Sequence, residues 1–463
     1  MSAPGYFDEA RHRQILDEYP LGPAFRAGVA RVSRDALRAL QDRRFRAVLK
    51  RAWEVPFYRR RWGARGIEPG DIRDLEDIEK LPPFSKIDLV QSVAEHPPFG
   101  DYHGVDLAAD ERLSVVLHTT SGTTGAPQPV VFGAWDREVQ NSLLARAYLL
   151  QGLRADDVVH SVYGFGMVNG GHYVREALVH FTKAIVLPAG TGLETRSEQQ
   201  VELMRTFGAT VIVGFVDYVK RLAQVAREHG IEPGRDIKIR MISGHVGHED
   251  RSAISAAWGG ADVYDWYGVA DTGIIAAEGP EHDGLHVWED AHYVEIVDPD
   301  THAARPAGES GNLCVTALFK DGVYPIVRFD TCDVSSFITR SPEHGLAFRR
   351  ISGFQGRSDQ MIKLRGINVY PTAIGIHLGS HPALTGEFVC RAERHGARDE
   401  LTVIVEARPG ADRPELGKEL RALLRQKLGV EVGVELVAPG ATAPLTGIDA
   451  RQKPIRLIDR RRT

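Results

Sequence analysis

The 463-residue sequence has few cysteines, no long apolar run and no excess of positive charge. Its three cysteines (Cys314, Cys332, Cys390) form no CxxC pair, which predicts free thiols in a reducing compartment rather than a disulfide scaffold. No segment approaches the roughly 18 consecutive apolar residues that a membrane span needs. Because 57 Lys and Arg are outweighed by 62 Asp and Glu, the composition gives no reason to expect a nucleic-acid partner.

The N-terminal residues carry charge throughout and contain no apolar stretch, unlike a secretory signal. Together with the missing membrane span, this predicts a cytoplasmic protein with no membrane partner. Hydrophobic residues make up 43% and charged residues 26%, which is typical of a globular protein. A chain of this length is expected to fold into two or more packing units.

Short apolar, β-branched runs alternate with helical patterns in the middle of the chain. Residues 113–117 and 210–215 are predicted to be buried strands, whereas residues 139–148 and 218–225 keep helical spacing. This alternation predicts α/β layers around a largely parallel sheet. Ligands bind such sheets where strands end and loops begin.

The last hundred or so residues are predicted to form a separate, smaller unit. Residues 401–405 indicate a strand, and Pro414 begins a helix whose leucines share one face. A polar, glycine-punctuated stretch at residues 353–359 is suited to a linker. The predicted domains are therefore residues 1–358 and 359–463.

A run rich in hydroxyl groups and glycines follows the first predicted strand. Between Thr120 and Gly125 it holds four hydroxyls and two glycines. Glycines let main-chain N–H groups approach a ligand and hydroxyls add donors, so the run indicates an anion cradle suited to a polyphosphate. It is not a Walker loop, because the GxxxxGK[ST] spacing is missing. Taken alone, these residues also fit a solvent-exposed loop.

Two further segments place aromatic and acidic side chains near predicted strands. Residues 264–273 contain Tyr267, a flat face for a base or an aryl group, and Asp271, an oxygen ligand for magnesium. An aromatic core strand followed by a turn is the alternative there. Asp333, at a predicted strand end, can accept hydrogen bonds from a ribose diol, but a salt bridge with Arg328 explains it as well.

Residues 356–366 and 447–456 are two further segments of this kind, which makes five in sequence order. In this order they resemble the adenylate-forming superfamily of acyl-CoA synthetases, and most closely the phenylacetate-CoA ligases. Linking stretches such as residues 284–290 and 368–371 resemble that family too. The resemblance runs from about His118 to the C-terminus. It implies a large N-terminal α/β domain that binds AMP and a smaller, mobile α+β C-terminal domain.

The resemblance also implies a reaction. ATP and a carboxylic acid form an acyl-adenylate and pyrophosphate with the help of Mg²⁺, and CoA then takes the acyl group. Tyr163, Phe165 and Met167 are expected in the acyl pocket, and their apolar, aromatic character favours an aryl or arylalkyl acid. Ordinary core packing explains each of the three residues equally well when it is taken singly.

The family's site residues carry over onto matching positions of this chain. The resemblance implies catalytic roles for Lys453 and Asp271, with Asp271 also holding the metal ion. It implies a hinge at Asp359 and a place for Gly366 in the CoA channel. Lys453 is expected to neutralise charge between the α-phosphate and the attacking carboxylate. The implied nucleotide-binding residues are Ser121, Gly122, Thr123, Thr124, Gly125, Gly244, His245, Val246, Asp265, Tyr267, Gly268, Asp333 and Arg357.

The chain departs from the family pattern at several positions. Ala126 stands where the family often has lysine, so one phosphate contact is expected to be missing. Asp271 replaces the usual glutamate, which keeps the charge and shortens the reach. Gly375 replaces an acidic residue, and the cysteine cluster of many phenylacetate-type members is absent. These departures weaken phenylacetate itself as the expected acid.

Other functions remain open on the sequence. An amine or another small nucleophile can capture the adenylate instead of CoA, and a non-catalytic nucleotide-binding protein is a further alternative. The pairs His245/His248 and His282/His286 are weak candidates for zinc ligands. A serine hydrolase is disfavoured because no GxSxG segment occurs. The sequence leaves the oligomeric state open, a homodimer included.

Overall fold

The fold was analysed in a computed structural model. It describes residues 5–106, 113–120, 128–247, 249–340, 346–365, 367–379, 381–395, 398–411, 413–448 and 454–461. None of the helices in these ranges is long and apolar enough to cross a membrane. The three cysteines are free, with Cys314 and Cys390 buried.

The α-helices of these ranges are concentrated at the N-terminus and between the strands of the main sheet. In chain order they are α1 (Tyr6–Ala10), α2 (His12–Glu18), α3 (Gly22–Ala27), α4 (Arg34–Glu54), α5 (Pro56–Gly63), α6 (Lys86–Glu95), α7 (Ala134–Leu150), α8 (Gly170–Phe181), α9 (Ser197–Thr206), α10 (Val216–Glu228), α11 (Arg251–Ala257), α12 (Gly375–Gly379), α13 (Arg413–Leu428) and α14 (Ala443–Thr446).

The β-strands are mostly short and occupy the middle and the C-terminal part of the chain. They are β1 (Phe84–Ser85), β2 (Val115–Thr120), β3 (Gln128–Gly133), β4 (Val158–Ser161), β5 (Ile185–Pro188), β6 (Val211–Val213), β7 (Met241–Gly244), β8 (Asp262–Val269), β9 (Gly273–Glu278), β10 (Leu285–Val287), β11 (His292–Val297), β12 (Gly311–Ala317), β13 (Ile326–Ser335), β14 (Arg350–Ile351), β15 (Gly356–Arg357), β16 (Ile362–Leu364), β17 (Ile367–Val369), β18 (Leu384–His395), β19 (Arg398–Ala407), β20 (Gly433–Val437) and β21 (Leu457–Asp459).

An eight-stranded sheet forms the centre of the large N-terminal part, in the order β14-β10-β9-β8-β7-β6-β4-β5. The strands from β5 to β8 are parallel, whereas β8, β9, β10 and β14 pair antiparallel. Helices α8, α9, α10 and α11 connect the parallel strands, as expected for crossover connections. The predicted α/β class is therefore confirmed.

Helix α10 shows how the apolar pattern places a helix on this sheet. Val216, Val219, Leu222 and Val225 are all buried, and they follow the spacing of one helix face. They belong to an apolar cluster that also contains Ile212 of strand β6. The predicted strand at residues 210–215 and the predicted helix after it are both confirmed.

A second, five-stranded sheet packs beside the first. Its order is β1-β13-β12-β11, with β15 paired to β13. Apolar residues between the two sheets form a cluster that includes Tyr267, Ile275, Val294 and Leu313. The N-terminal helices contribute side chains such as Phe45 to the largest apolar cluster. This cluster also contains residues of both sheets. Strands β8 and β13 thus lie close to each other.

The strand predicted at residues 113–117 is present from Val115 onward, but the prediction that it is buried is wrong. The strand is β2, which begins at Val115, and Leu113 and Val116 are 50% and 37% exposed. Strands β2 and β3 form a two-stranded antiparallel ribbon, and the fully buried β3 covers the core. An apolar run can therefore form the outer strand, because burial depends on what packs against it.

The C-terminal residues form an α+β unit with an apolar cluster of its own. A four-stranded sheet has the order β20-β19-β18-β21, and helix α13 packs on it through Leu416, Leu420 and Leu424. The cluster contains buried residues from Ile362 to Val432. The predicted strand and leucine-rich helix are confirmed. The exact domain boundary at residue 359 stays a prediction.

Candidate active site

Several predicted site residues lie outside the described part of the chain. These are the phosphate-loop residues, the predicted CoA-channel glycine and the predicted catalytic lysine: Ser121, Gly122, Thr123, Thr124, Gly125, Gly366 and Lys453. The other predicted nucleotide-binding residues follow or lie within β7, β8, β13 and β15. Those strands are neighbours in the two packed sheets, so the fold brings residues together that are far apart in sequence.

Asp333 and Arg357 face each other across strands β13 and β15. Arg357 donates from Nη1 to Asp333 Oδ1 at 2.7 Å, and Tyr267 donates its hydroxyl to Asp333 Oδ2 at 2.8 Å. Arg357 also donates to both carboxylate oxygens of Asp359, at 2.8 and 2.7 Å. One guanidinium thus joins the predicted ribose carboxylate to the predicted hinge.

The alternative partner for Asp333 is wrong. Arg328 donates to Glu295 at 2.8 Å and to the main-chain oxygen of Leu81 at 2.7 Å. Asp333 also lies inside strand β13 and not at a strand end. The ion-pair partner of Arg328 is thus Glu295, whereas that of Asp333 is Arg357.

Asp271 is buried in a polar surrounding beside the phosphate-loop strands. Its Oδ1 accepts hydrogen bonds from Gln128 Nε2 at 2.9 Å and from the hydroxyl of Tyr324 at 3.1 Å. Oδ2 receives no hydrogen bond from the residues that the structure describes. Burial raises the pKa of Asp271, and the charge of Lys320 and these two hydrogen bonds offset part of that shift. A cation at this carboxylate would favour its ionised form.

A buried lysine contacts the main chain of Asp271. Lys320 is fully buried, and its ammonium lies 4.9 Å from the ring centre of Phe132 and 4.7 Å from that of Tyr324. It donates to the main-chain oxygen of Asp271 at 3.1 Å. Burial lowers the pKa of Lys320 to about 8, although the charges of Asp136 and Asp271 oppose the shift. Lys320 therefore places positive charge close to the predicted metal ligand.

The predicted base-contact residues follow strand β7 and meet strand β8. The main-chain N–H of Val246 donates to Asp265 Oδ1 at 2.9 Å. Burial raises the pKa of Asp265 to about 7. A side chain at Gly244 would lie 1.8 Å from the main-chain oxygen of Gly214, and one at Gly268 would lie 2.5 Å from that of Gly273. Both glycines thus permit close contact between backbones.

Aromatic side chains surround the residue that follows Gly244. The ring of His245 stacks on Phe215 at 5.1 Å and lies 4.2 Å from the ring of Trp266. Tyr163 lies 4.9 Å from Phe215 and 6.1 Å from Trp266. Burial raises the pKa of Tyr163, and the charge of Asp265 adds to the shift. We call Tyr163, Phe215, His245 and Trp266 the aromatic cluster.

The other two predicted pocket residues are less enclosed. Phe165 is half-buried and its ring lies 5.2 Å from that of His172. The side chain of Met167 is 54% exposed. Their place in an acyl pocket stays a prediction.

The sequence analysis missed four residues of this site: Lys86, Gln128, Lys320 and Tyr324. Lys86 begins helix α6 and interacts electrostatically with Asp271, Arg357 and Asp359, and burial lowers its pKa. No motif marks this part of the chain. Lys320 and Tyr324 lie just before the segment that contains Asp333. This position is the sequence signal that could have indicated that they belong to the site.

Two family models match the chain. The model described as AMP-binding enzyme matches residues 73–318, and the model described as AMP-binding enzyme C-terminal domain matches residues 366–461. A phenylacetate-coenzyme A ligase of Aromatoleum evansii is 31% identical over 448 residues, which cover 94% of this chain and 96% of that protein.

The fold is also similar to that of solved structures of a 2-hydroxyisobutyryl-CoA ligase. In its postadenylation state, in complex with 2-HIB-AMP, that ligase matches with a TM-score of 0.81 at 28% identity, covering 93% of this chain and 91% of its own. In its thioesterification state, with 2-HIB-AMP and CoA, the TM-score is 0.68 at 30% identity, with 96% and 95% covered. The described arrangement is thus closer to the postadenylation state.

Length and fold agree in these comparisons. The family model spans more than half of the chain, and the curated relative extends over nearly all of it. The α/β part with its smaller C-terminal unit has the architecture of the solved ligase. The chain therefore belongs to the family of AMP-binding enzymes, and within it to the AMP-forming acid–CoA ligases that include the phenylacetate-CoA ligases.

Proposed function

We propose that this chain activates an aryl or arylalkyl carboxylic acid with ATP and transfers the acyl group to CoA. The aromatic cluster is the observation that supports this class of acid. Its rings lie beside Gly244–Val246 and Asp265, where the nucleotide is predicted to bind. A flat apolar acid in contact with these rings would present its carboxylate toward the nucleotide.

For the adenylation step we assign roles to the predicted residues as follows. The run from Ser121 to Gly125 binds the ATP phosphates, and Asp333 accepts hydrogen bonds from the ribose with Arg357 holding its orientation. Lys453 neutralises charge as the carboxylate approaches the α-phosphate. The barrier for this step is largely electrostatic, because a weak anionic nucleophile approaches an already negative group.

Asp271 fits the role of a magnesium ligand. It is a buried carboxylate whose ionised form lacks a full set of partners among the described residues, and oxygen is the ligand that magnesium prefers. When bound, Mg²⁺ would neutralise phosphate charge. Gln128 and Tyr324 orient the carboxylate, and Lys320 holds the main chain of Asp271.

For the second step we propose that the C-terminal unit turns about Asp359 and that Gly366 lines the CoA channel. The support is the contact between Asp359 and Arg357, since a rotation there would change how Asp333 is held. A cytoplasmic location, the absence of nucleic-acid and membrane partners, and a homodimer stay predictions.

A panel of acids tests the proposed function. Aryl, arylalkyl and short alkyl acids are supplied with ATP and Mg²⁺, and pyrophosphate release is measured with and without CoA. We expect release with aryl or arylalkyl acids and thioester formation when CoA is present. Preference for short alkyl acids would contradict the proposed acid class. Pyrophosphate release with amine consumption but no thioester would favour capture by an amine.

A further inference from the structure

The segment that follows Lys453 is anchored firmly in the C-terminal unit. The main-chain N–H of Ile455 donates to the oxygen of Thr446 at 2.9 Å, and the N–H of Cys390 donates to the oxygen of Arg456 at 2.9 Å. Arg456 directly precedes strand β21, which pairs with β18. The side chain of Arg456 therefore makes its contacts from a fixed segment, three residues along the chain from Lys453.

The side chain of Arg456 joins two parts of the molecule. Its Nη1 donates to Glu387 Oε2 at 3.0 Å and to the main-chain oxygen of Phe388 at 2.8 Å, and the guanidinium lies 4.7 Å from the ring centre of Phe388. These partners belong to the C-terminal unit. Its Nη2 donates to Asp217 Oδ1 at 3.4 Å, and Asp217 lies in the first turn of helix α10 in the N-terminal part.

Asp217 belongs to a charge cluster on the N-terminal side. Lys220 lies 3.7 Å from Asp217 and 2.6 Å from Glu249. The N–H of Glu249 donates to the main-chain oxygen of Val246 at 3.0 Å. Asp217 thus connects Arg456 to the loop that is predicted to contact the nucleotide base. The side chain of Arg456 is only 10% exposed, so solvent screens its contacts weakly.

The arrangement that contains this contact resembles the postadenylation state of the related ligase, and we take it to be the arrangement in which the adenylate forms. The whole-chain similarity is higher for the postadenylation state of the related ligase than for its thioesterification state. The two TM-scores, 0.81 and 0.68, indicate that the two states of that ligase differ in overall arrangement. A contact made in one arrangement and not in the other favours the first by its own interaction free energy.

We infer that Arg456 and Asp217 are positioning residues that hold the C-terminal unit where Lys453 can serve adenylation. This inference rests on the proposed role of Lys453. The pair is partly exposed on the side of Asp217 and its distance is long for a hydrogen bond, so its contribution is modest. A weak contact suits an enzyme whose C-terminal unit must move before the second step.

Separate assays of the two half-reactions test this inference. We expect Asp217→Asn and Arg456→Gln each to slow ATP–pyrophosphate exchange about fivefold, which corresponds to about 1 kcal/mol. Thioester formation from preformed acyl-adenylate and CoA should be unchanged or faster. The double variant should be no slower than the slower single variant, because both changes remove the same contact. Asp217→Glu should restore part of the exchange rate.

A matched control and a structural readout accompany these assays. Glu198→Gln neutralises an exposed carboxylate in the first turn of helix α9, outside the contact, and should leave both half-reactions unchanged. Hydrogen exchange in the segment 384–392 should increase in Asp217→Asn and not in Glu198→Gln. This measurement needs no catalytic activity, and Asp217→Asn remains informative if Arg456→Gln folds poorly.

Three outcomes would overturn the inference. They are unchanged pyrophosphate exchange in Asp217→Asn, equal loss of both half-reactions, and unchanged hydrogen exchange at residues 384–392. The variant Lys453→Ala separates this result from failure of the proposed function. If Lys453→Ala keeps full adenylation activity, the role of Lys453 fails and the inference fails with it. If Lys453→Ala loses adenylation but Asp217→Asn and Arg456→Gln do not, the role of Lys453 stands and the positioning role of the pair is wrong.

Discussion

Replacing Arg357 with glutamine should weaken ATP binding far more than it changes the use of the acid. The substitution removes the charged donor to Asp333 and both donors to Asp359. Asp333 is buried, and a hydrogen bond between charged groups contributes about 1.5–3 kcal/mol. If the bond to Asp333 acts through ribose binding, its loss corresponds to a roughly 10- to 100-fold rise in the KM for ATP.

The measurement is ATP–pyrophosphate exchange over a range of ATP concentrations with the acid held at saturation. Arg305→Gln is the matched control, because Arg305 also joins two acidic residues, Asp298 and Glu309, and has a similar exposed fraction. It should leave the KM for ATP unchanged. A KM within about twofold of wild type in folded Arg357→Gln would refute the role of this contact in holding the nucleotide.

Three further predictions concern charged residues of the site. Lys453→Ala should lower adenylation by orders of magnitude while turnover of preformed adenylate falls much less, measured in separate half-reactions; equal losses would contradict its role. Lys86→Met should raise the KM for ATP about tenfold without a similar change for the acid, because a half-buried ammonium near Asp271 favours bound phosphate. Burial raises the pKa of Asp265 from its ordinary value of 3.8 to about 7, so the native state keeps a proton that the unfolded state loses between these pH values. Stability therefore falls as the pH rises through this range. Asp265→Asn should remove this slope, with its stability relative to wild type growing by up to about 4 kcal/mol from pH 4 to 8 in urea unfolding, and parallel curves would contradict the assignment.

Strands and helices with a clear apolar period could be predicted from the sequence. The strand that contains Ile212 and the helix that begins at Val216 are both where the pattern indicates. The strand at Val115–Thr120 shows the limit of such patterns. Its apolar residues resemble a core strand, yet the neighbouring β3 takes the buried position in the ribbon.

The site could be predicted only where a recognised segment contains the residue. Asp333, Arg357 and Tyr267 were all identified in this way, and the structure brings them into contact. Lys86 and Lys320 belong to no recognised segment. Their part in the site follows from burial beside Asp271, which local sequence does not reveal.

The sequence by itself determined the family and the order of the segments that carry its chemistry, because hydroxyl, glycine, aromatic and acidic residues recur there in a recognisable sequence. Only the tertiary structure decided which charges meet. Arg357 and Asp333 are 24 residues apart, and Arg456 and Asp217 are 239 residues apart. Such pairs form because packed sheets and helices bring distant side chains together, and no local period or spacing encodes that proximity.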